Sequence, residues 1–397
     1  MDYHAFGFDV NTDPVGFIID LGSLYEYLST MMDCRHARGK RYALVTVLIF
    51  VVLAKLAGED RLAGIAEWIA LRKESLAEAL HLVKPRAPHT STYSRILGQV
   101  VQVEEFENAV REYFAHQPGA GRSVVIALDG KTLRGTIRAG QTQGLHLLAA
   151  YLPAEGWVLM QVAVSDKGNE ITAAPTVLKC LDLRGKIITG DAMLAQRDLS
   201  AQIVEAEGDY VWTVKANQSQ LRQDIEMLFQ PEKPIKGFSQ GTKDFRSDGG
   251  WEKGHGRLEH RALTVSTELK GYLDWPGAEQ VFKLDRESVR QADGHLTQET
   301  VYGITSLTAD EAGPRRLREL IRSHWGIENG LHYRRDETLR EDWCHLRFGH
   351  ASRAMATVNN LVLGLLLTRG IKNVPQARRR LAAHPDEALQ LILRSPA

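Results

Sequence analysis

Two aspartates stand where short apolar runs stop. Val124, Val125, Ile126, Ala127 and Leu128 lead into Asp129, and Gly130 and Lys131 follow at once. Ile187, Ile188, Thr189 and Gly190 lead in the same way into Asp191. Short β-branched runs of this kind predict buried strands, and a glycine directly after the first acid predicts a turn there. Each strand would then present a carboxylate at the carboxyl edge of a sheet. Two such acids suit a divalent ion, because Mg²⁺ takes one or two carboxylates and fills its remaining positions with water and phosphate oxygens. Work on a phosphodiester with two metals calls for a further acid. Glu328, within Ser323–Arg335, is the best candidate. On a helix His324, Glu328, His332 and Arg335 share one face. Alone, that face reads equally well as solvated charge; the two aspartates favour chemistry.

The elements that must position these residues follow from periodicity. Helical spacing runs through 16–32, 43–57, 61–71 and 74–83, so the first 115 residues read as helical. A proline break at Lys84–Pro88 precedes a helix starting near Thr90, with Arg95 on it. These helices read either as a DNA-reading helix-turn-helix or as a packing domain. Gln117–Gly121 reads as a linker. Strands are predicted at 123–128, 145–152, 157–164, 186–190 and 210–214, and helices at 171–182, 195–206 and 217–229. Three strands, then helix, strand, helix, strand, is the order of a ribonuclease-H-like core. From 230 to about 303 turn residues are dense and short alternating runs appear, which predicts a β-rich insertion outside the central sheet. Helical spacing returns at 309–333 and 351–368.

Bulk properties narrow the class. The chain has 397 residues, 44% hydrophobic and 25% charged, with formal net charge zero. That composition is ordinary for a globular protein of two or three domains. Zero net charge counts weakly against a nucleic-acid partner, because phosphate binding favours a basic surface, but charge is uneven. Pro314–Arg353 holds nine Arg, no Lys and six acids. Cys34, Cys180 and Cys344 are far apart and show no metal or disulfide spacing, which fits a reducing cytoplasm. No secretory signal pattern opens the chain. The apolar run Ala43–Ala57 is short of a membrane span and predicts a buried helix.

Four stretches carry a family resemblance: Leu128–Gly135, Thr189–Ala192, His255–Arg261 and His324–His332. Arg340-Glu341-Asp342 and the helix with Asn359 and Asn360 continue it. The chain resembles the ISAs-type insertion-sequence transposases, with the H-repeat-associated proteins, of the DDE superfamily. The resemblance implies a ribonuclease-H-like core and a triad of Asp129, Asp191 and Glu328. It implies Mg²⁺ or Mn²⁺ as cofactor, transposon-end and target DNA as partner, and a homodimer on that DNA. Related cut-and-paste enzymes carry a Tyr-x2-Arg-x3-Glu-x6-Lys signature. The matching positions here are Ile321, His324, Glu328 and Arg335, so only the glutamate is kept.

The expected architecture is a helical N-terminal domain at 1–116, a catalytic core at 121–230 and 306–370, an insertion at 231–305 and a tail at 371–397. Lys131, Arg95, His255, Arg257, His324 and Arg335 are the candidate DNA contacts. Lys215–Gln218 reads as a phosphate loop or as a polar turn, and His255–Arg261 as a channel lining or as a salt-bridged hairpin. Trp251, Trp275 and Trp325 read mainly as core. Two other functions stay open: a transposase-derived DNA-binding protein that does not cut, and a nuclease that cuts without joining.

Overall fold

A computed structural model describes residues 22–118, 120–121, 123–164, 169–230, 243–254 and 256–394. His255, residues 1–21 of the helical region, Gly119 of the linker, 231–242 of the β-rich stretch and 395–397 of the tail lie outside them.

The N-terminal region is helical: α1 (Leu24–Ser29), α2 (Leu44–Leu56), α3 (Leu62–Ala70), α4 (Lys73–Ala79), α5 (Thr90–Arg95) and α6 (Val103–Ala115). Helix α2 is apolar all round and accordingly buried from Thr46 to Leu56. Among the described residues no helix is long and apolar enough to cross a membrane.

The centre is one nine-stranded sheet. Its strands are β1 (Val125–Thr132), β2 (His146–Leu152), β3 (Trp157–Val164), β4 (Ile187–Gly190), β5 (Asp209–Val214), β6 (Arg246–Gly254), β7 (Arg257–Ser266), β8 (Gln280–Arg290) and β9 (Leu296–Thr305). The order is β3-β2-β1-β4-β5-β9-β8-β7-β6. The pairs β1–β4 and β4–β5 are parallel and all others antiparallel. Helices α7 (Glu170–Lys179) and α8 (Arg197–Glu205) connect the parallel strands, and α9 (Ser219–Leu228) follows β5.

One expectation is corrected here. Residues 243–305 are β-rich, but they are not outside the central sheet. Strand β9 pairs with β5, with Val211 opposite Thr305 and Val214 opposite Tyr302, so β6–β9 widen the core sheet. Gly303 permits the join, since a Cβ there would run into the Phe282 ring and the Trp212 carbonyl.

Helix α10 (Pro314–Ile327) lies across one face of this sheet. Its Leu317, Leu320 and Ile321 share an apolar cluster with Val125, Ile187 and Val211 of the parallel strands and with Leu263 and Phe282 of the added ones. Helices α11 (Ala351–Thr368), α12 (Val374–Ala383) and α13 (Pro385–Leu393) complete the chain. Leu361, Val362 and Leu365 of α11 join Val47, Phe50 and Phe106 of the N-terminal helices in the main core.

Candidate active site

Register puts the two aspartates side by side. The parallel pairing of β1 with β4 ends at Leu128 opposite Gly190, so Asp129 and Asp191 are the next residues on neighbouring strands. Side chains alternate along a strand, which puts both acids on the face that carries Val125 and Ile187, under α10. Strand β1 does not end at its acid. It runs on to Thr132, paired only with β2, and so outruns β4. The expected turn at Gly130 is therefore absent; the glycine instead makes room for the Glu170 carboxyl and the His146 ring, which a Cβ there would displace. Asp191 lies in extended backbone just past β4 and caps a short turn, its Oδ1 accepting from the Met193 and Leu194 N–H groups at 2.9 and 3.3 Å. These bonds fix the carboxylate and leave its second oxygen without a partner among the described residues. Asn217, in the polar turn after β5, donates to the Ala192 carbonyl at 2.6 Å and braces the same loop.

The helix contributes its own row. His324 Nδ1 stands 3.3 Å from the Thr189 hydroxyl. Burial holds its pKa below the ordinary histidine value against the pull of Asp129 and Asp191, so the ring is neutral at pH 7. His332 is buried, with Nε2 3.1 Å from Asp129 Oδ2. The ring nitrogen is not aligned for a hydrogen bond at that distance. Beyond Ile327 the chain winds as two wider π turns, Glu328–His332 and Arg334–Thr338. Four residues overshoot an α turn of about 3.6 residues and undershoot a π turn. The two errors offset, so His324, Glu328 and His332 keep one face. Glu328 is exposed and lies between His324, held at Thr189, and His332, which meets Asp129.

The π turns also rotate later residues away from that face, and two expected phosphate contacts are corrected. Arg335 is fully buried, with Nε donating to Glu341 at 2.8 Å and Nη1 to Asn360 at 3.2 Å. Lys131 is buried and held by Asp336 at 2.5 Å. Neither has a free face for DNA. Arg95 is exposed at the end of α5, a helix of six residues whose Tyr93 is buried. Arg257 is exposed at the start of β7, while Arg261 pairs with Glu252 and Glu259, so this hairpin is salt-bridged. Trp275 is buried; Trp251 and Trp325 are half-exposed, correcting their reading as core. From sequence, Asp342 was named only within the resemblance, and no role was given to Asp336 or to the contact of His332 with Asp129. Their clustering was visible only as a dense run of charge after Glu328.

The acids divide into two kinds. Glu341, Asp336 and Asp342 face arginine or lysine. Among the described residues no lysine or arginine pairs with Asp129, Asp191 or Glu328. Among those residues no group of three His, Cys, Asp or Glu side chains is gathered closely enough to enclose an ion. The donor set is an open pair of hard carboxylates. It fits a divalent cation that completes its shell with water and phosphate oxygens.

Comparison with known proteins gives the family. Residues 120–365 match the family described as Transposase DDE domain, and residues 25–114 match the domain described as DDE_Tnp_1-associated. YncI of Escherichia coli O157:H7 is 30% identical over 353 residues, covering 88% of each chain. The H repeat-associated protein YhhI of Escherichia coli strain K12 is 27% identical over 357 residues, covering 88% of this chain and 91% of its own. Both bear provisional transposase names. A piggyBac transposase synaptic complex with hairpin DNA matches with a TM-score of 0.41 at 12% identity, over 96% of this chain and 79% of that one. With the family match spanning more than half its length, the chain belongs to the DDE-domain transposases.

Proposed function

We propose that the protein cuts and joins DNA at the ends of a mobile element, with Asp129, Asp191 and Glu328 holding divalent cations. The observation that carries the reading is the pair of adjacent strand-end carboxylates with no lysine or arginine partner among the described residues, under a helix face bearing His324, Glu328 and His332. The strand order β3-β2-β1-β4-β5, antiparallel then parallel, supports a ribonuclease-H-like core. When bound, the cation supplies Lewis acidity to the scissile phosphate and lowers the pKa of an attacking water or 3′-hydroxyl.

The chain's own residues do the positioning. Asp191 keeps one oxygen fixed by backbone N–H groups and offers the other. His332 sits against Asp129. His324, neutral and held near Thr189, can donate to a phosphate oxygen without repelling a cation. The flanking regions, 1–116 and 231–305, are proposed to hold DNA, with Arg95 and Arg257 as contacts, and the active species to be a homodimer.

A labelled end duplex with Mg²⁺, or with EDTA, tests the reading. Wild type should cut and join only with metal. Asp129→Asn should still bind ends yet lose about 10²- to 10³-fold in rate, the scale of removing one preorganised charge-stabilising group. Activity that survives EDTA, or an active Asp129→Asn protein, contradicts it. Metal-dependent cutting never followed by joining would leave a nuclease.

A further inference from the structure

We infer that two strapped loops, 134–138 and 340–347, form a DNA-duplex contact beside the site, with Arg134 and Arg340 taking backbone phosphates and Trp343 packing on a sugar or base. This rests on the DNA-cutting function proposed above and names the surface that would hold the duplex.

Position is the first argument. Strand β1 carries Asp129 and ends at Thr132, and a single turn at Arg134–Thr136 follows. The loop therefore leaves the same sheet edge that presents the aspartates. Rigidity is the second. The Arg134 N–H donates to Asp342 Oδ1 at 3.1 Å. Arg347 donates from Nε to the Gly135 carbonyl at 3.0 Å and from Nη2 to the Ile137 carbonyl at 2.7 Å. His345 Nδ1 reaches the Gly135 carbonyl at 3.3 Å. Gly135 lets the loops touch, since a Cβ there would meet the Cys344 and Asp342 carbonyls. A strapped loop holds its side chains in place without further ordering cost on binding.

Charge and exposure supply the third argument. The Arg134 side chain is 79% exposed, and its nearest acid, Asp342, lies 3.8 Å away. Arg340 is exposed, has no partner among the described residues and sits in left-handed backbone at φ 50°. Trp343 is 67% exposed. Of the acids in this stretch, Glu341 is buried, Asp336 and Asp342 face Lys131, and Glu337 is exposed. The acids thus turn mostly inward and the arginines outward. An exposed tryptophan on the same strapped loops as two exposed arginines suits a polyanion that also offers sugar faces and, at a duplex end, a terminal base.

The probe is an element-end duplex, with binding followed by anisotropy across a salt series from about 50 to 200 mM. Arg134→Ala and Arg340→Gly should each weaken binding and reduce the slope of log K against log salt by about 0.9, one phosphate contact apiece. The glycine at 340 adopts left-handed backbone freely, so that variant removes the guanidinium without straining the fold. Trp343→Ala should weaken binding with the slope unchanged. Unaltered slopes in both arginine variants overturn the surface, and unaltered affinity in Trp343→Ala overturns the stacking. If wild type neither binds nor cuts the duplex, the functional reading fails instead.

Discussion

The molecule treats its acids in two opposite ways on the two sides of the helix that carries Glu328. In front, Asp129, Asp191 and Glu328 have no lysine or arginine partner among the described residues. Behind, a set of buried and half-buried acids is answered. Glu341 meets Arg335 at 2.8 Å, Asp336 meets Lys131 at 2.5 Å, and Asp60 meets Lys55 at 2.8 Å and Arg378 at 2.7 Å. Lys55 also donates to the Leu339 carbonyl, and Arg378 to that of Thr338, so α2 and α12 grip the end of the second π turn. Glu107 of α6 meets Arg353 and Gln161, and Gln161 meets Asn360. Buried charge persists only when paired and hydrogen-bonded. Acids left without a lysine or arginine partner are, on the proposed function, open to a cation from outside the chain.

The contrast predicts opposite mutational responses. Arg335→Met should leave Glu341 buried and uncompensated and cost about 3–5 kcal/mol in denaturant unfolding. A loss under 1 kcal/mol would mean the rear pairs are not structural. Gly303→Ala, at the join of the two halves of the sheet, should cost about 1–3 kcal/mol by overpacking against Phe282. Asp191→Asn should change stability by no more than about 0.5 kcal/mol, because asparagine caps the following turn as well as aspartate does. A large loss there would make the front acid structural too.

Acid pH sharpens the same comparison. Burial pushes the Glu341 carboxyl up, but Arg335 and Asn359 outweigh it and hold its pKa below the ordinary glutamate value. A depressed folded-state pKa contributes stability that is complete above the unfolded value, about 4.3, and lost as pH falls through the folded one. Unfolding midpoints of wild type should therefore fall in that acid window, and those of Glu341→Gln should fall less steeply. Equal slopes would sink the assignment.

Much of this was legible from the sequence where the signal is local. The β-branched runs ending near Asp129 and Asp191, and the helices between strands, follow directly from side-chain period. The failures share a cause. Alternation at 262–265, 281–284 and 301–304 announces strands, but the pairing of β9 with β5 is a long-range choice that no window reveals. A glycine that permits a turn and one that permits close packing look alike, so Gly130 was misleading. Helical-wheel spacing held for His324, Glu328 and His332 but failed at Arg335, because two π turns change the residues per turn. Nothing in composition marks such turns.

The most direct measurement is the Mn²⁺-induced shift in thermal unfolding of wild type, Asp129→Asn, Asp191→Asn and Glu328→Gln, each against its EDTA control. A ligand that binds only the folded state raises its stability with concentration. The account predicts a clear rise in wild type, little or none in the three variants, and midpoints in EDTA that stay close to wild type. An equal Mn²⁺ shift in all four proteins, or variants already destabilised in EDTA, would contradict the claim that these acids are kept unpaired to hold a metal.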